Sequence, residues 1–152
     1  MPTTKTTDKE ITVKFFKVDK DAVAPSKRDG DAGWDLASVN AYTVPPLSAG
    51  FEIHTGIAVE LPPGYYVELF PRSSLGKHTA IRLSDSVGLI DNTYRGEIIA
   101  LVDNLGMKTE TINKGQRFCQ LAIKKEIPAV FVEAEKLTDT ERGTGKFGST
   151  GE

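Results

Sequence analysis

The sequence is short of the features that would give a disulfide framework or a membrane anchor. Its 152 residues contain one cysteine, Cys119, which excludes an internal disulfide and fits a reducing compartment. No apolar run approaches membrane-spanning length, and the polar start M-P-T-T-K-T-T-D-K-E lacks the apolar core of a secretory signal. We therefore expect a soluble intracellular protein, in the cytoplasm or the nucleus.

A strong charge of either sign is also missing. Nineteen basic and 21 acidic residues give a formal net charge of −2. Such a balance provides no field for gripping nucleic acid nonspecifically or for holding an anionic membrane, so we expect neither partner. A bound polyanion would need arginine and hydroxyl side chains gathered locally.

Segments long enough for an amphipathic helix are almost absent, and short apolar runs of period near two take their place. Turn signals such as Pro62-Pro63-Gly64, Ala49-Gly50 and Asn113-Lys114-Gly115 separate them. This pattern predicts an all-β sandwich or barrel, with one short helical turn after Pro71 capped by Ser73 or Ser74. The predicted strands include residues 11–18, 65–70, 96–102, 117–123 and 129–133.

The composition changes after Leu137. Residues 1–137 are predicted to form the β-domain, and residues 138–152 to form a mobile C-terminal arm with little to bury. The arm ends in R-G-T-G-K-F-G-S-T-G-E, in which Arg142 and Phe147 stand among glycines and hydroxyls. A phosphate grip needs Arg, hydroxyl and N–H donors, and a base needs an aromatic face, so this end is more than a linker.

Four further clusters stand out from the β pattern: A-G-W-D-L at 32–36, P-R-S-S-L-G at 71–76, G-L-I-D-N-T-Y-R-G at 88–96 and G-Q-R-F-C-Q-L at 115–121. Each has a plain structural interpretation. Asp35 and Asp91 suit turns, Gln120 suits the outer face of a strand, and Cys119 suits a small core position. His54 and His78 lack metal-ligand spacing and are expected to be surface or structural residues.

Taken together, the five clusters in this order resemble the five motifs of the trimeric dUTPase family, over about Val13 to Gly151. The resemblance implies a β jelly-roll homotrimer with active sites at the subunit junctions, which a neighbour's C-terminal arm closes. It implies hydrolysis of dUTP to dUMP and pyrophosphate by in-line attack of water on the α-phosphorus, a reaction that limits uracil in DNA and supplies dUMP.

The resemblance also implies residue roles. Asp91 is expected to prepare the water, and Mg²⁺ to be bound mainly by the triphosphate, with Asp35 reaching its hydration shell through water. Tyr94 is expected to pack on the deoxyribose and exclude a 2′-hydroxyl. Asp85 is expected to make a backbone contact or to turn its side chain away from uracil O4. The implied substrate-binding residues are Arg72, Ser73, Ser74, Gly76, Asp85, Gly88, Leu89, Ile90, Tyr94, Ile99, Gln120, Arg142, Phe147, Gly148, Ser149 and Thr150.

Two other functions stay open on the sequence alone. A dCTP deaminase of similar fold would need a Glu acid/base near the cytosine amino group, where this chain has the Asp and Tyr of D-N-T-Y-R-G. A nucleotide-sensing or partner-binding role is also open, because a surface that contacts a regulatory protein leaves no motif.

Overall fold

The computed structural model describes residues 9–148, which form eleven strands and one short helix. The elements in chain order are β1 (Lys14–Lys17), β2 (Trp34–Ala37), β3 (Tyr42–Val44), β4 (Ser48–His54), β5 (Ile57–Glu60), β6 (Tyr65–Pro71), α1 (Ser73–His78), β7 (Ile81–Leu83), β8 (Gly88–Ile90), β9 (Ile99–Asn104), β10 (Glu110–Ile112) and β11 (Arg117–Lys125).

The strands form four small antiparallel sheets. The largest has the order β2-β11-β6-β8, and a second has the order β4-β9-β7. Two-stranded pairs, β1 with β5 and β3 with β10, complete the structure. This arrangement confirms the prediction of an all-β fold.

One hydrophobic cluster draws side chains from all four sheets. Leu36, Leu69 and Phe118 come from the largest sheet, and Ile53 and Val102 come from the second. The pairing of β11 shifts register between Arg117 and Cys119, and both Phe118 and Cys119 are fully buried. A β-bulge breaks the strict inward–outward alternation, so two successive residues can face the core. The prediction that Cys119 is a core residue is confirmed.

Three local predictions were wrong. Residues 129–133 form no strand, because no neighbouring strand of the described chain lies beside them. Ala49 and Gly50 lie inside β4, where a register shift absorbs the glycine. The predicted helical turn is present, but its N-cap is Arg72 and has no side-chain cap hydrogen bond. Ser73 already has helical geometry, so neither Ser73 nor Ser74 is the cap.

The described part of the chain contains no helix with the length and apolarity needed to cross a membrane.

Two glycines with nearly the same φ allow a matched stability test. Gly50 and Gly56 have φ of +67° and +68°. A Cβ on Gly50 would meet nothing within 4 Å, whereas one on Gly56 would lie 2.8 Å from the Cβ of Ala22. Both alanine variants share the cost of the left-handed conformation, so we expect Gly56→Ala to lower the free energy of unfolding by about 1–3 kcal/mol more than Gly50→Ala. Urea unfolding at one protein concentration measures the difference, and equal losses would contradict it.

Candidate active site

Asp35 stands between two arginines at one end of the largest sheet. The register places Asp35 of β2 opposite Gln120 of β11, and Pro71 of β6 opposite Cys119. Arg72 follows β6 directly, and its Nε lies 3.1 Å from Asp35 Oδ1. The other carboxylate oxygen lies 3.7 Å from Nη1 of Arg117. One mostly buried carboxylate thus orients two partly exposed guanidinium groups, which suit a polyanion.

Gln120 is held in the same region by backbone. Its Nε2 donates to the carbonyl oxygen of Pro71 at 3.2 Å. A Cβ on Gly33 would overlap Gln120 Oε1, so the glycine in A-G-W-D-L makes room for this amide. Ser73 and Ser74 are exposed in the first turn of α1, next to Arg72, and Gly76 is half-buried further along the helix. The structure therefore gathers the predicted phosphate-contacting residues of the β-domain.

A second group of predicted residues surrounds a cavity of about 230 Å³ beside β8. Asp91 and Tyr94 are exposed on its wall, and Asp85 also contributes to it. The Oδ2 of Asp85 lies 3.4 Å from where a Cβ on Gly88 would be, so the carboxylate stays close to the start of β8. The lining residues are Leu69, Asp85, Gly88, Leu89, Ile90, Asp91, Tyr94, Glu97, Ile98 and Ile99.

The turn after β8 fixes Tyr94 by short-range contacts. The N–H of Tyr94 donates to the carbonyl of Asp91 at 3.1 Å, and its hydroxyl donates to the carbonyl of Glu97 at 2.8 Å. The ring passes so close to Gly96 that a Cβ there would lie 2.7 Å from Tyr94 Cζ. The glycine of Y-R-G is therefore required for the tyrosine to fold back over the turn.

Sequence reasoning missed four residues in these two groups. Arg117 lies beside the Asp35 carboxylate, and Leu69, Glu97 and Ile98 also line the cavity. The Glu97 carboxylate accepts the Gly56 N–H at 2.8 Å and lies 3.0 Å from His54 Nδ1, so His54 has a structural contact as expected. Arg117 had a signal, because it belongs to the same motif as Gln120, and Glu97 and Ile98 directly follow the Y-R-G motif. Leu69 had none, because it reaches the cavity through the pairing of β6 with β8.

The Cys119 thiol lies beneath this end of the sheet. Its burial, with a smaller contribution from the Asp35 carboxylate, raises its pKa well above the usual range. The protonated thiol is a packing group, which agrees with its predicted core role.

The arm lies apart from both groups. Arg142 donates from Nε to the carbonyl of Gly145 at 3.2 Å, within the arm itself. The Phe147 side chain is 104% exposed, and Gly148 is also exposed. Ser149 and Thr150, two predicted phosphate-clamping residues, lie outside the described residues.

Within one chain, the arginine cluster and the cavity remain separate. The cavity lining includes none of Asp35, Arg72 or Gln120, and no residue of the arm up to Gly148. A nucleotide that contacts both the arginine cluster and the cavity would therefore need groups that do not line one common cavity in a single chain.

Comparison with known proteins gives the family. A family model described as dUTPase matches residues 19–151. The deoxyuridine 5′-triphosphate nucleotidohydrolase of Clostridium kluyveri is 42% identical over 143 residues, covering 93% of this chain and 98% of that protein. A solved dUTPase of Staphylococcus bacteriophage 80alpha with dUPNHPP superimposes with a TM-score of 0.84 at 25% identity, over 92% and 98% of the two chains.

The same fold occurs in a dUTPase variant from phage phi11 of S. aureus that coordinates a structural Mg(II) ion, with a TM-score of 0.74 at 22% identity over 82% of this chain and 97% of that chain. The family model covers nearly nine tenths of the sequence, and the curated relative covers more than nine tenths. The chain belongs to the dUTPase family.

Proposed function

We propose that the chain hydrolyses dUTP to dUMP and pyrophosphate in sites that it completes only as a trimer. The proposal rests on one observation: the motif residues of the β-domain lie on two separate surfaces of a single chain. Asp91 and Tyr94 border the cavity, while Asp35, Arg72 and Gln120 meet at the end of the sheet.

Asp91 is the proposed base. A water oxygen attacks the α-phosphorus in line, its bond to phosphorus forms as the bond to the bridging oxygen breaks, and pyrophosphate leaves. Asp91 orients that water and takes its proton, which requires a carboxylate within hydrogen-bond reach. Its exposure on the cavity wall leaves the carboxylate available to such a water.

The uracil ring of the substrate is proposed to pair with the backbone of β8. This strand ends the sheet order β2-β11-β6-β8, so within residues 9–148 its outer edge has no strand partner. Free N–H and C=O groups on such an edge can match O2, N3–H and O4 of uracil. Leu89, Ile90 and Ile99 supply the apolar wall, which would reject the thymine methyl by contact. Tyr94, folded over Gly96, is proposed to pack against the face of the deoxyribose.

The phosphate chain is proposed to lie against Arg72, Ser73, Ser74 and Gln120, with Gly76 behind them. Arg72 and Arg117 bring two cations to a single carboxylate, so this end of the sheet is locally positive in a chain of net charge −2. Arg142, Gly148, Ser149 and Thr150 of an arm would clamp the β- and γ-groups, and Phe147 would stack on uracil.

The donor groups near the proposed phosphate contacts suit a Mg²⁺ ion that is bound mainly by the substrate and not by the protein alone. Residues 9–148 contain no group of three or more Asp, Glu, His or Cys side chains that could hold an ion. Mg²⁺ often keeps several waters and binds substrate phosphates with one or two carboxylates, and Asp35 is the carboxylate nearest the proposed phosphate contacts. When bound, Mg²⁺ neutralises charge on the phosphate oxygens. The proposed task of Asp35 is to accept hydrogen bonds from its water shell while orienting Arg72.

Support for a trimer comes from an unpaired apolar segment. Ile127, Val130, Phe131 and Val132 are each more than 80% exposed, and the Phe131 side chain is 103% exposed. Strand β1 pairs with β5 alone within the described range, and beside it lies an apolar cavity of about 730 Å³ that includes Trp34 and Leu121. We propose that residues 127–132 of one subunit lie on this surface of another, which carries the arm toward the neighbour's site.

The first test is Asp91→Asn with a nucleotide panel of dUTP, dTTP, dCTP and UTP. Wild type should release pyrophosphate from dUTP alone, and the variant should be slower by about 10²–10⁴-fold because it cannot take the proton. Asp29→Asn, an equally exposed aspartate on another turn, is the matched control. Unchanged turnover in Asp91→Asn, or ammonia released from dCTP, would contradict the assignment.

The second test mixes two inactive subunits. Asp91→Asn and Arg72→Ala remove groups from the two separate surfaces, so a site that takes one from each subunit is intact at one junction of every mixed trimer. Random mixing of equal amounts makes three quarters of trimers mixed, so activity should return to about a quarter of wild type. No recovery after co-refolding, with mixed trimers verified by mass spectrometry, would mean that one chain supplies both groups.

The third test compares two fully exposed phenylalanines. Phe147→Ala should lower kcat/KM for dUTP by about 10- to 100-fold, one lost stacking contact, with little change in Tm. Phe131→Ala should instead lower Tm and weaken assembly, because that ring is proposed to lie in a subunit interface. Kinetics and sedimentation of both variants decide the matter, and a large Tm loss in Phe147→Ala would place that ring in a core.

A further inference from the structure

The side chain of Asn92, directly after Asp91, is bound to a neighbouring turn. Its Nδ2 lies 2.8 Å from the carbonyl oxygens of both Pro62 and Tyr65, and 3.4 Å from that of Leu61. Leu61 and Pro62 lie in the turn that joins β5 to β6, where Gly64 has a φ of +86°, and Tyr65 is the first residue of β6. The turn thus points several acceptors at one site.

That convergence of acceptors requires a neutral side chain with two donors. Asparagine is the side chain of this size whose amide supplies two N–H groups. An aspartate of the same shape would place charged oxygens against carbonyl oxygens, and an alanine would leave them without this donor. The identity of residue 92 is therefore matched to the turn rather than to solvent.

Asp91 lies between two attachments to β6. On one side, Ile90 pairs with Val67 in the β6–β8 ladder. On the other side, the Asn92 amide binds the carbonyl of Tyr65, the first residue of the same strand. The exposed aspartate thus belongs to a segment whose backbone is attached immediately before and immediately after it. Within residues 9–148 the Asp91 side chain makes no hydrogen bond, so its direction depends on this backbone.

We propose that Asn92 is a positioning residue, which sets the Asp91 carboxylate in line with the attacking water by fixing the backbone after it. This inference rests on the proposed role of Asp91. Misplacement by about 1 Å can cost about 10²-fold in rate, whereas the contacts that bind base and phosphates come from other residues. The loss should therefore fall on kcat rather than on KM.

The experiment uses the full chain with Asn92→Ala, Asn92→Asp and Asn92→Ser, and with Asn40→Ala as the control. Asn40 is exposed on the turn between β2 and β3, away from this contact. We expect kcat to fall about 10- to 100-fold in the alanine and aspartate variants, less in the serine variant with its single donor, and not in Asn40→Ala. KM should stay within about twofold throughout.

A double variant separates positioning from a general structural effect. In an Asp91→Asn background no carboxylate remains to be aimed, so adding Asn92→Ala should leave the residual rate unchanged. A further fall by the same factor as in the wild-type background would overturn the proposal, as would wild-type kcat in both Asn92→Ala and Asn92→Asp. Rates are compared per folded trimer, and the serine variant serves if the other two do not assemble.

Failure of this inference can be told apart from failure of the proposed function. If Asp91→Asn alone keeps wild-type turnover, Asp91 is not the base and both proposals fall. If Asp91→Asn is inactive but the Asn92 variants are fully active, Asp91 keeps its role and only the positioning role of Asn92 is lost.

Discussion

The pairing of β11 with β2 and β6 is the constraint on which the site depends. Its register sets Asp35 opposite Gln120 and ends β6 at Pro71, so Arg72 emerges beside the Asp35 carboxylate. A slip of one residue would exchange the two faces of β11 and turn its buried side chains outward. Phe118 and Cys119 oppose that slip, because both are fully buried and would lose their place in the core. The register of β11 therefore determines both the packing of the core and the positions of the proposed phosphate contacts.

Much of the fold was predictable because short strands carry their signal locally. The period-two runs around 65–70 and 117–123 became β6 and β11, and the motif order led to the family before any coordinates. What failed depended on partners distant in sequence. Residues 129–133 have the composition of a strand but pair with no strand within residues 9–148, and Leu69 reaches the cavity through its pairing with β8. The predicted cap of α1 was wrong because the rule expects a side chain that bonds the first turn. The N-cap, Arg72, makes no such bond, and its side chain contacts Asp35 instead.

The local charge distribution explains how a nearly neutral chain can be suited to a polyanion. The net charge of −2 gives no useful long-range attraction, yet at one sheet end two guanidiniums share one carboxylate. Asp35 lowers the repulsion between the arginines while the triphosphate is absent, and it holds their side chains near the conformations in which they would bind phosphate. Preorganisation of this kind reduces the conformational entropy lost on binding. In the proposed function, Asp35 therefore prepares the two arginines for phosphate while the net charge of the molecule stays at −2.

A site divided between subunits would also explain why Asp91, the proposed base, needs such firm backbone support. If the phosphate contacts belong to one chain and Asp91 to another, the in-line angle is set across an interface, and errors in both chains add. The β6–β8 ladder and the Asn92 amide remove most of the freedom on the Asp91 side, because both attach the segment to the same strand. Arg72 directly follows the other end of β6. One strand therefore supports both proposed halves of the site in each chain, and the proposed trimer would need only to bring the two ends of neighbouring copies together.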